Sequence, residues 1–191
     1  YFPYDFALRS TYTLEGRRIS HSVAVRNTGK GTLRFGFGYH PGFALPFDDA
    51  HTTEDYDVVF DTVESPLCLN TAPNGLVCAS PDYYLARNVD RIPLSAKLFA
   101  HDSHCMVNLK SKTMAVVERD TGRRIVVDIA DFPYTLIWST PQEPMRFICI
   151  EPWHSIPSED NGPIEWEKKP CAASLAPNEM WQTTLNMTFE R

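Results

Sequence analysis

Apolar and polar residues alternate along most of the chain, and this period of two predicts β-strands. In residues 19–25 an isoleucine, a histidine and two valines alternate with two serines and an alanine, and residues 6–14 show a similar alternation. Gly16 lies between the two segments, so we expect them to form an antiparallel hairpin. The same pattern predicts further strands at 32–37, 56–60, 106–109, 113–118, 124–129, 134–138, 147–150 and 181–189.

No part of the chain sustains a helical period, and fifteen prolines interrupt it at short intervals. These features predict an all-β antiparallel sandwich or barrel. The stretch 65–95 contains four prolines and an Asn-Gly pair, so we expect an irregular excursion over the sheet, of the kind that often walls a binding site. No linker divides the chain, and residues 1–191 are interpreted as a single domain.

Composition limits the possible partners. The chain has 191 residues, of which 43% are hydrophobic and 22% charged, as is typical of a globular domain or part of one. The net charge is −6 and basic residues do not cluster, so nucleic acid is not an expected partner. The longest apolar runs are too short to cross a bilayer. Because the chain begins with Tyr1, the lack of a signal peptide says little about targeting.

The cysteines are scattered and include no Cys-x-x-Cys pair; they stand at positions 68, 78, 105, 149 and 171. An odd number with irregular spacing favours reduced thiols in a cytoplasmic protein over the disulfide framework of a secreted one. We expect Cys149 to pack within a core strand.

His101, His104 and Cys105 lie close together in sequence and could supply three ligands to a metal ion. In a strand, however, neighbouring side chains point to opposite faces, so the three would not converge. The segment is better interpreted as the polar start of a strand, and no metal is expected. No glycine-rich loop precedes a helix, so nucleotide binding has no support either.

The first candidate for chemistry is Glu151, which ends the apolar run 147–150 and precedes Pro152 and Trp153. A carboxylate at the mouth of a buried strand, beside an aromatic ring, would be partly desolvated yet reachable from a pocket. Such an environment suits a general base. Considered alone, Glu151 could equally pair with an arginine.

The second candidate is His40, between Tyr39 and Pro41. Proline cannot continue a hydrogen-bonded ladder, so a strand should end here. The flanking glycines, Gly38 and Gly42, permit an unusual backbone or the close approach of a ligand. Considered alone, a histidine in this position is more often structural than catalytic.

Taken together, several motifs resemble the aldose 1-epimerases (mutarotases), especially the divergent bacterial branch of that superfamily. The resemblance spans nearly the whole chain. It rests on Thr11-Tyr12-Thr13-Leu14-Glu15-Gly16, Val25-Arg26-Asn27-Thr28-Gly29, Gly38-Tyr39-His40-Pro41-Gly42-Phe43, Phe99-Ala100-His101-Asp102, Asp131-Phe132-Pro133-Tyr134, Ile137-Trp138-Ser139 and Cys149-Ile150-Glu151-Pro152-Trp153.

The resemblance implies a β-supersandwich that binds a sugar in a cleft on one sheet face. It implies that Glu151 is the general base, that His40 is the general acid and that Asp102 holds sugar hydroxyls. Trp138 and Trp153 are proposed as walls of the pocket on chemical grounds, since the apolar face of a sugar stacks on aromatic rings.

The implied activity is interconversion of the α and β anomers of an aldohexose, without cofactor or metal. A non-catalytic carbohydrate-binding module and a hexose-6-phosphate 1-epimerase remain alternatives. Family members normally have a substantial region before the segment that residues 1–16 resemble. We therefore expect this chain to be a fragment, with the remaining strands supplied in some form, including as a separate chain.

Overall fold

The computed structural model describes residues 2–71, 74–78, 80–162, 165–169 and 173–191. Within these ranges the chain forms fifteen β-strands and three short 3₁₀ helices, at Thr53–Asp55, Ala96–Phe99 and Trp166–Lys168. The strands are β1 (Phe6–Glu15), β2 (Arg18–Asn27), β3 (Leu33–Phe35), β4 (Gly42–Ala44), β5 (Tyr56–Glu64), β6 (Leu67–Leu69), β7 (Tyr83–Tyr84), β8 (Val89–Pro93), β9 (His104–Val107), β10 (Thr113–Glu118), β11 (Arg124–Asp128), β12 (Tyr134–Trp138), β13 (Phe147–Trp153), β14 (Ala173–Leu175) and β15 (Met180–Glu190).

Two antiparallel sheets make up most of the fold. The seven-stranded sheet has the order β1-β2-β15-β11-β10-β5-β8, and the six-stranded sheet has the order β4-β13-β12-β9-β6-β7. Strands β3 and β14 form a separate pair. No helix in the described ranges has the length and apolar character that a membrane span requires. The all-β antiparallel class predicted from the alternation is confirmed.

The core lies between the two sheets. Val23 and Leu185 contribute from the seven-stranded sheet, and Ile137 and Ile150 from the six-stranded sheet; all four are buried in one apolar cluster. Burying side chains of this size contributes about 1.5–3 kcal/mol each. Because side chains alternate along a strand, the residues next to Ile150 in β13 point to the opposite face of the six-stranded sheet. Glu151 lies on that face.

Several predicted strands match the structure closely. Segments 113–118 and 134–138 have the bounds of β10 and β12. Strands β1 and β2 pair antiparallel as expected. Gly16 in the connecting turn has φ +59, a backbone conformation that favours glycine.

The expectation that residues 65–95 are irregular was wrong in part. This stretch contains β6 and β7, which pair with each other, and β8, which pairs with β5. These strands have five residues or fewer. Such short apolar runs carry too little periodicity to be identified from sequence.

Strand β13 also extends beyond the predicted segment 147–150 and continues through Pro152 to Trp153. On one side β13 pairs with β12 along this whole extension, but β4 pairs with it only as far as Cys149. Beyond Cys149 that edge meets the loop at Gly38 and Tyr39, through an isolated bridge and the Tyr39 N–H that donates to the Pro152 carbonyl. No regular strand ladder there requires the N–H that proline lacks, so the proline is tolerated.

Candidate active site

Glu151 lies near the end of β13, opposite Leu136 of β12. Cys149 lies two residues before it on the same face of the sheet. On the other side of Leu136, Cys105 of β9 is the residue that pairs with it. Leu136 and both cysteines are buried, and the Glu151 side chain is only 3% exposed. The sheet thus holds a carboxylate in a largely apolar setting.

The carboxylate of Glu151 has few partners that would favour its charge. Among the described residues its one ion pair is with His40, at 3.4 Å between Nε2 and Oε1. Burial raises the pKa of Glu151 from 4.5 to about 8, and the negative charge of Asp102 adds to this effect. A carboxylate with a raised pKa is a stronger base than an exposed one and is suited to proton transfer.

His40 approaches Glu151 from the loop between β3 and β4, and its side chain is 56% exposed. Tyr39, the preceding residue, fixes this loop to both sheets. Its backbone N–H donates to the Pro152 carbonyl at 3.0 Å, and its hydroxyl donates to the His21 carbonyl at 2.9 Å and the Thr183 carbonyl at 3.1 Å. The histidine is therefore exposed but held on an anchored backbone.

Trp153 also holds this loop. Its indole N–H donates to the Tyr39 carbonyl at 3.0 Å, and its ring lies directly against Gly38, where an added Cβ would come within 2.4 Å of the ring. A larger residue at Gly38 would therefore push the tryptophan or the loop aside. The glycines that flank His40 are predicted to permit an unusual backbone or the close approach of a ligand. At Gly38 the structure shows close approach by Trp153 instead.

The other predicted site residues lie around this pair. The centroid of the Trp138 ring lies 6.1 Å from that of the His40 ring, in an edge-to-face arrangement. The Trp138 ring also lies beside the Phe147 ring, with their centroids 5.3 Å apart. Asp102 is half-buried, follows the 3₁₀ helix Ala96–Phe99 and has φ +79. After burial, its negative charge is the second cause of the raised pKa of Glu151.

Cys149, which is predicted only to pack within a core strand, is also a neighbour of this pair. Its Sγ, His40 Nε2 and a Glu151 carboxylate oxygen all lie within 4.8 Å of one another. Strand alternation could have revealed this, because residues 149 and 151 must share a face. Burial raises the pKa of the Cys149 thiol to about 12, with a contribution from Glu151.

The histidines and cysteine considered for a metal do not share one face. His104 lies on the core side of β9, where its ring nitrogens contact the Tyr83 hydroxyl at 2.7 Å and the Leu98 carbonyl at 2.6 Å. Cys105 points to the opposite face, as the alternation argument predicted. The four cysteines that the structure describes are free thiols, and Cys171 lies outside the described residues.

This arrangement combines a buried carboxylate with an exposed histidine, bordered by an aromatic ring and a second carboxylate. Because the two groups lie 3.4 Å apart, they could remove a proton from one oxygen of a polar ligand and return a proton to a neighbouring oxygen.

The chain as a whole is similar to a known family of proteins. The sequence profile of the aldose 1-epimerase family matches residues 1–188. The chain is 31% identical over 189 residues to the plasmid-encoded protein LacX of Lactococcus lactis subsp. lactis, covering 97% of this chain and 62% of LacX. The chain therefore belongs to the aldose 1-epimerase family.

Solved structures show the same fold. A galactose mutarotase related enzyme from Lactobacillus acidophilus superposes with a TM-score of 0.90 at 25% identity, covering 100% of this chain and 63% of that one. A galactose mutarotase-like protein from Lactobacillus casei ATCC 334 gives a TM-score of 0.82 at 23% identity, covering 99% and 65%. The chain thus spans a little under two thirds of the length of these relatives.

Proposed function

We propose that this chain carries the acid–base pair of an aldose 1-epimerase that interconverts the α and β anomers of an aldohexose. The observation that carries the proposal is the contact between His40 Nε2 and Glu151 Oε1, two residues far apart in sequence. Membership of the aldose 1-epimerase family supports the same reaction class.

The reaction requires opening and closing a hemiacetal ring. Glu151 takes the proton from the anomeric hydroxyl while His40 gives a proton to the ring oxygen. The bond between C1 and the ring oxygen breaks and C1 becomes a carbonyl. Rotation about the C1–C2 bond presents the other carbonyl face. Closure with reversed proton transfers gives the other anomer and restores both residues.

Asp102 and the aromatic rings would orient the sugar. The Asp102 carboxylate accepts hydrogen bonds from ring hydroxyls, and Trp138 and Trp153 offer surfaces for the apolar face of the sugar. A phosphorylated sugar is less well supported. Arg87 lies over the Tyr84 ring at 3.8 Å, and Arg91 pairs with Asp90 at 3.2 Å, so both arginines of residues 65–95 have other contacts.

We propose further that residues 1–191 are the C-terminal part of one sandwich domain and that additional strands complete it. On the face of β1 that continues the core, Tyr12 and Leu14 are 67% and 73% exposed. A pocket of about 420 Å³ runs from Leu8 on this face to His40. An apolar sheet face beside an unpaired edge is normally covered, and the greater length of the relatives provides material to cover it.

Whether additional strands cover this face of β1 can be tested in the natural protein that contains these residues. If Leu8 is covered there, Leu8→Asp should destabilise the protein by more than about 2 kcal/mol. An effect within about 0.5 kcal/mol, as expected for an exposed site, would contradict the covering.

The reaction is tested by following the mutarotation of fresh α-glucose and other aldoses by polarimetry in the natural protein. Glu151→Gln and His40→Ala should each reduce the rate by about 10²–10⁴-fold, because each removes one positioned proton-transfer group. Glu143→Gln, at an exposed glutamate, is the control and should leave the rate unchanged. Wild-type rates in either site variant would overturn the proposal. Sugar binding without mutarotation would favour the carbohydrate-binding module.

A further inference from the structure

Three donor atoms of different chemistry converge at the candidate active site. His40 Nε2, Cys149 Sγ and a carboxylate oxygen of Glu151 lie within 4.8 Å of one another, and the histidine–glutamate separation is 3.4 Å. Zinc bonds of about 2.0–2.3 Å in a tetrahedron place neighbouring ligand atoms about 3.3–3.6 Å apart. The cluster is therefore within a small side-chain adjustment of a three-ligand zinc geometry.

We propose that His40, Cys149 and Glu151 bind Zn²⁺ as three ligands, with the fourth position open to the cleft, and that the bound metal blocks the sugar. Imidazole, thiolate and carboxylate are all zinc ligands, and a thiolate selects zinc over magnesium or calcium. On binding, the Cys149 thiol releases its proton to solvent and its sulfur forms the bond to the metal.

The backbone already directs two of the three ligands. Cys149 and Glu151 are two residues apart in β13 and share one face, which the pairing with β12 keeps rigid. Gly42, opposite Cys149 in β4, has no side chain, and a Cβ there would lie 3.4 Å from the sulfur. His40 is the exposed member of the set, so it can adjust and leaves a path from solvent.

The charge of the surroundings also favours a cation. Among the described residues, the basic side chain paired with Glu151 is that of His40, itself one of the three proposed ligands, whereas Asp102 adds a second negative charge. A second group of Asp48, His51 and Glu118 has similarly close donor atoms. There, Arg123 already bonds both carboxylates. A guanidinium occupies the position that a metal would need, so that group is not a competing site.

The binding step is tested in the natural protein by titrating Cd²⁺, whose bond to a thiolate gives an ultraviolet charge-transfer band, and by zinc calorimetry. We expect one metal per chain. Cys149→Ser should abolish the band and weaken zinc by more than about 100-fold, exceeding the roughly 10–100-fold effect of losing an outer-shell partner. His40→Ala, at an exposed residue that tolerates substitution, should weaken zinc while retaining the band.

Cys78→Ser is the matched control, since Cys78 is the one thiol among the described cysteines that is not buried. This variant should bind both metals as the wild type does. A band that survives in Cys149→Ser, or disappears in Cys78→Ser, would overturn the site.

The inhibition step rests on the proposed epimerase function. Zinc should raise the apparent KM for the sugar without lowering kcat, and Cys149→Ser should be insensitive to zinc relative to its own metal-free rate. If the metal-free wild type shows no mutarotation while the cadmium band forms, the epimerase proposal fails and the metal site stands. If mutarotation occurs and no band forms, only the metal site fails.

Discussion

Two buried glutamates, each beside a histidine, have opposite surroundings in this molecule. Glu118 is completely buried and accepts hydrogen bonds from the Tyr56 and Thr121 hydroxyls and from Arg123. Although burial opposes its charge, these bonds hold the pKa of Glu118 below its ordinary value. Glu151 is almost as buried, but its pKa rises to about 8 because burial is not offset by comparable donors.

The contrast separates a structural carboxylate from a reactive one. A buried charge with a full set of donors is stabilised as a carboxylate and has little tendency to take up a proton. A buried charge without them has a strong affinity for a proton, which is a cost to stability and an advantage for general base catalysis. The presence of a histidine does not distinguish the two; the hydrogen-bond donors do.

The largest expected effect is a loss of activity without a loss of stability, at Glu151. Glu151→Gln should reduce mutarotation by about 10²–10⁴-fold and leave the melting temperature unchanged or higher, because it removes a poorly compensated buried carboxylate. Polarimetry and thermal unfolding of one preparation measure both quantities. A large loss of stability in this variant would show that Glu151 is structural, and the contrast with Glu118 would disappear.

The converse is expected at Glu118. Glu118→Gln should destabilise the protein by about 2–4 kcal/mol. Loss of one partner from a buried ion pair costs about 3–5 kcal/mol, and Arg123 retains Asp48. The rate per folded molecule should be unchanged. Urea unfolding is the measurement.

Glu190→Gln is the control for this variant, since Glu190 pairs with Arg124 at 3.0 Å on the surface. Its effect should stay below about 1 kcal/mol. Equal effects at the two glutamates would contradict the structural role of the Glu118 network.

A smaller effect is expected from Trp153→Phe, which keeps an aromatic ring and removes the N–H that binds the Tyr39 carbonyl. If Trp153 positions the loop of His40, kcat should fall about 10-fold with little change in KM, because misplacing a reacting group lowers the rate of the chemical step. A raised KM with unchanged kcat would instead support the prediction that Trp153 is a wall of the sugar pocket.

The smallest expected effect concerns His51, which contacts Asp48 at 2.6 Å and Asp120 at 3.1 Å. Hydrogen bonds to these two carboxylates raise the pKa of His51 from 6.5 to about 9, and the bond to Asp48 has the larger effect. A raised folded-state pKa means that the stabilisation is fully present below pH 6.5 and is lost as pH rises through about 9.

Thermal unfolding between about pH 7 and about pH 10 measures this loss. In His51→Gln the melting temperature should decline less steeply with pH across that range. If the melting temperatures of the wild type and the variant changed in parallel with pH, charged His51 would not contribute to stability.

Much of the fold could be predicted from the sequence. Strands such as β10 and β12 have clear alternation, and the turn at Gly16 marks the first hairpin. Short strands such as β6 were not predicted, because a few residues cannot display a period. The contacts of Glu118 were not anticipated either: Tyr56 and Arg123 reach it from other parts of the chain, and nothing in the local pattern marks them as partners.

The sequence by itself determined the alternation that directs each side chain to one face of a strand, and it carried the motifs that identify the family. This is local information, since it depends on backbone geometry and residue type. Only the tertiary structure decided that His40 meets Glu151, that Cys149 joins them and that Arg123 reaches Glu118 but not Glu151. Those outcomes depend on which distant strands become neighbours. The pKa of each glutamate follows from the burial and the donors that these neighbours provide.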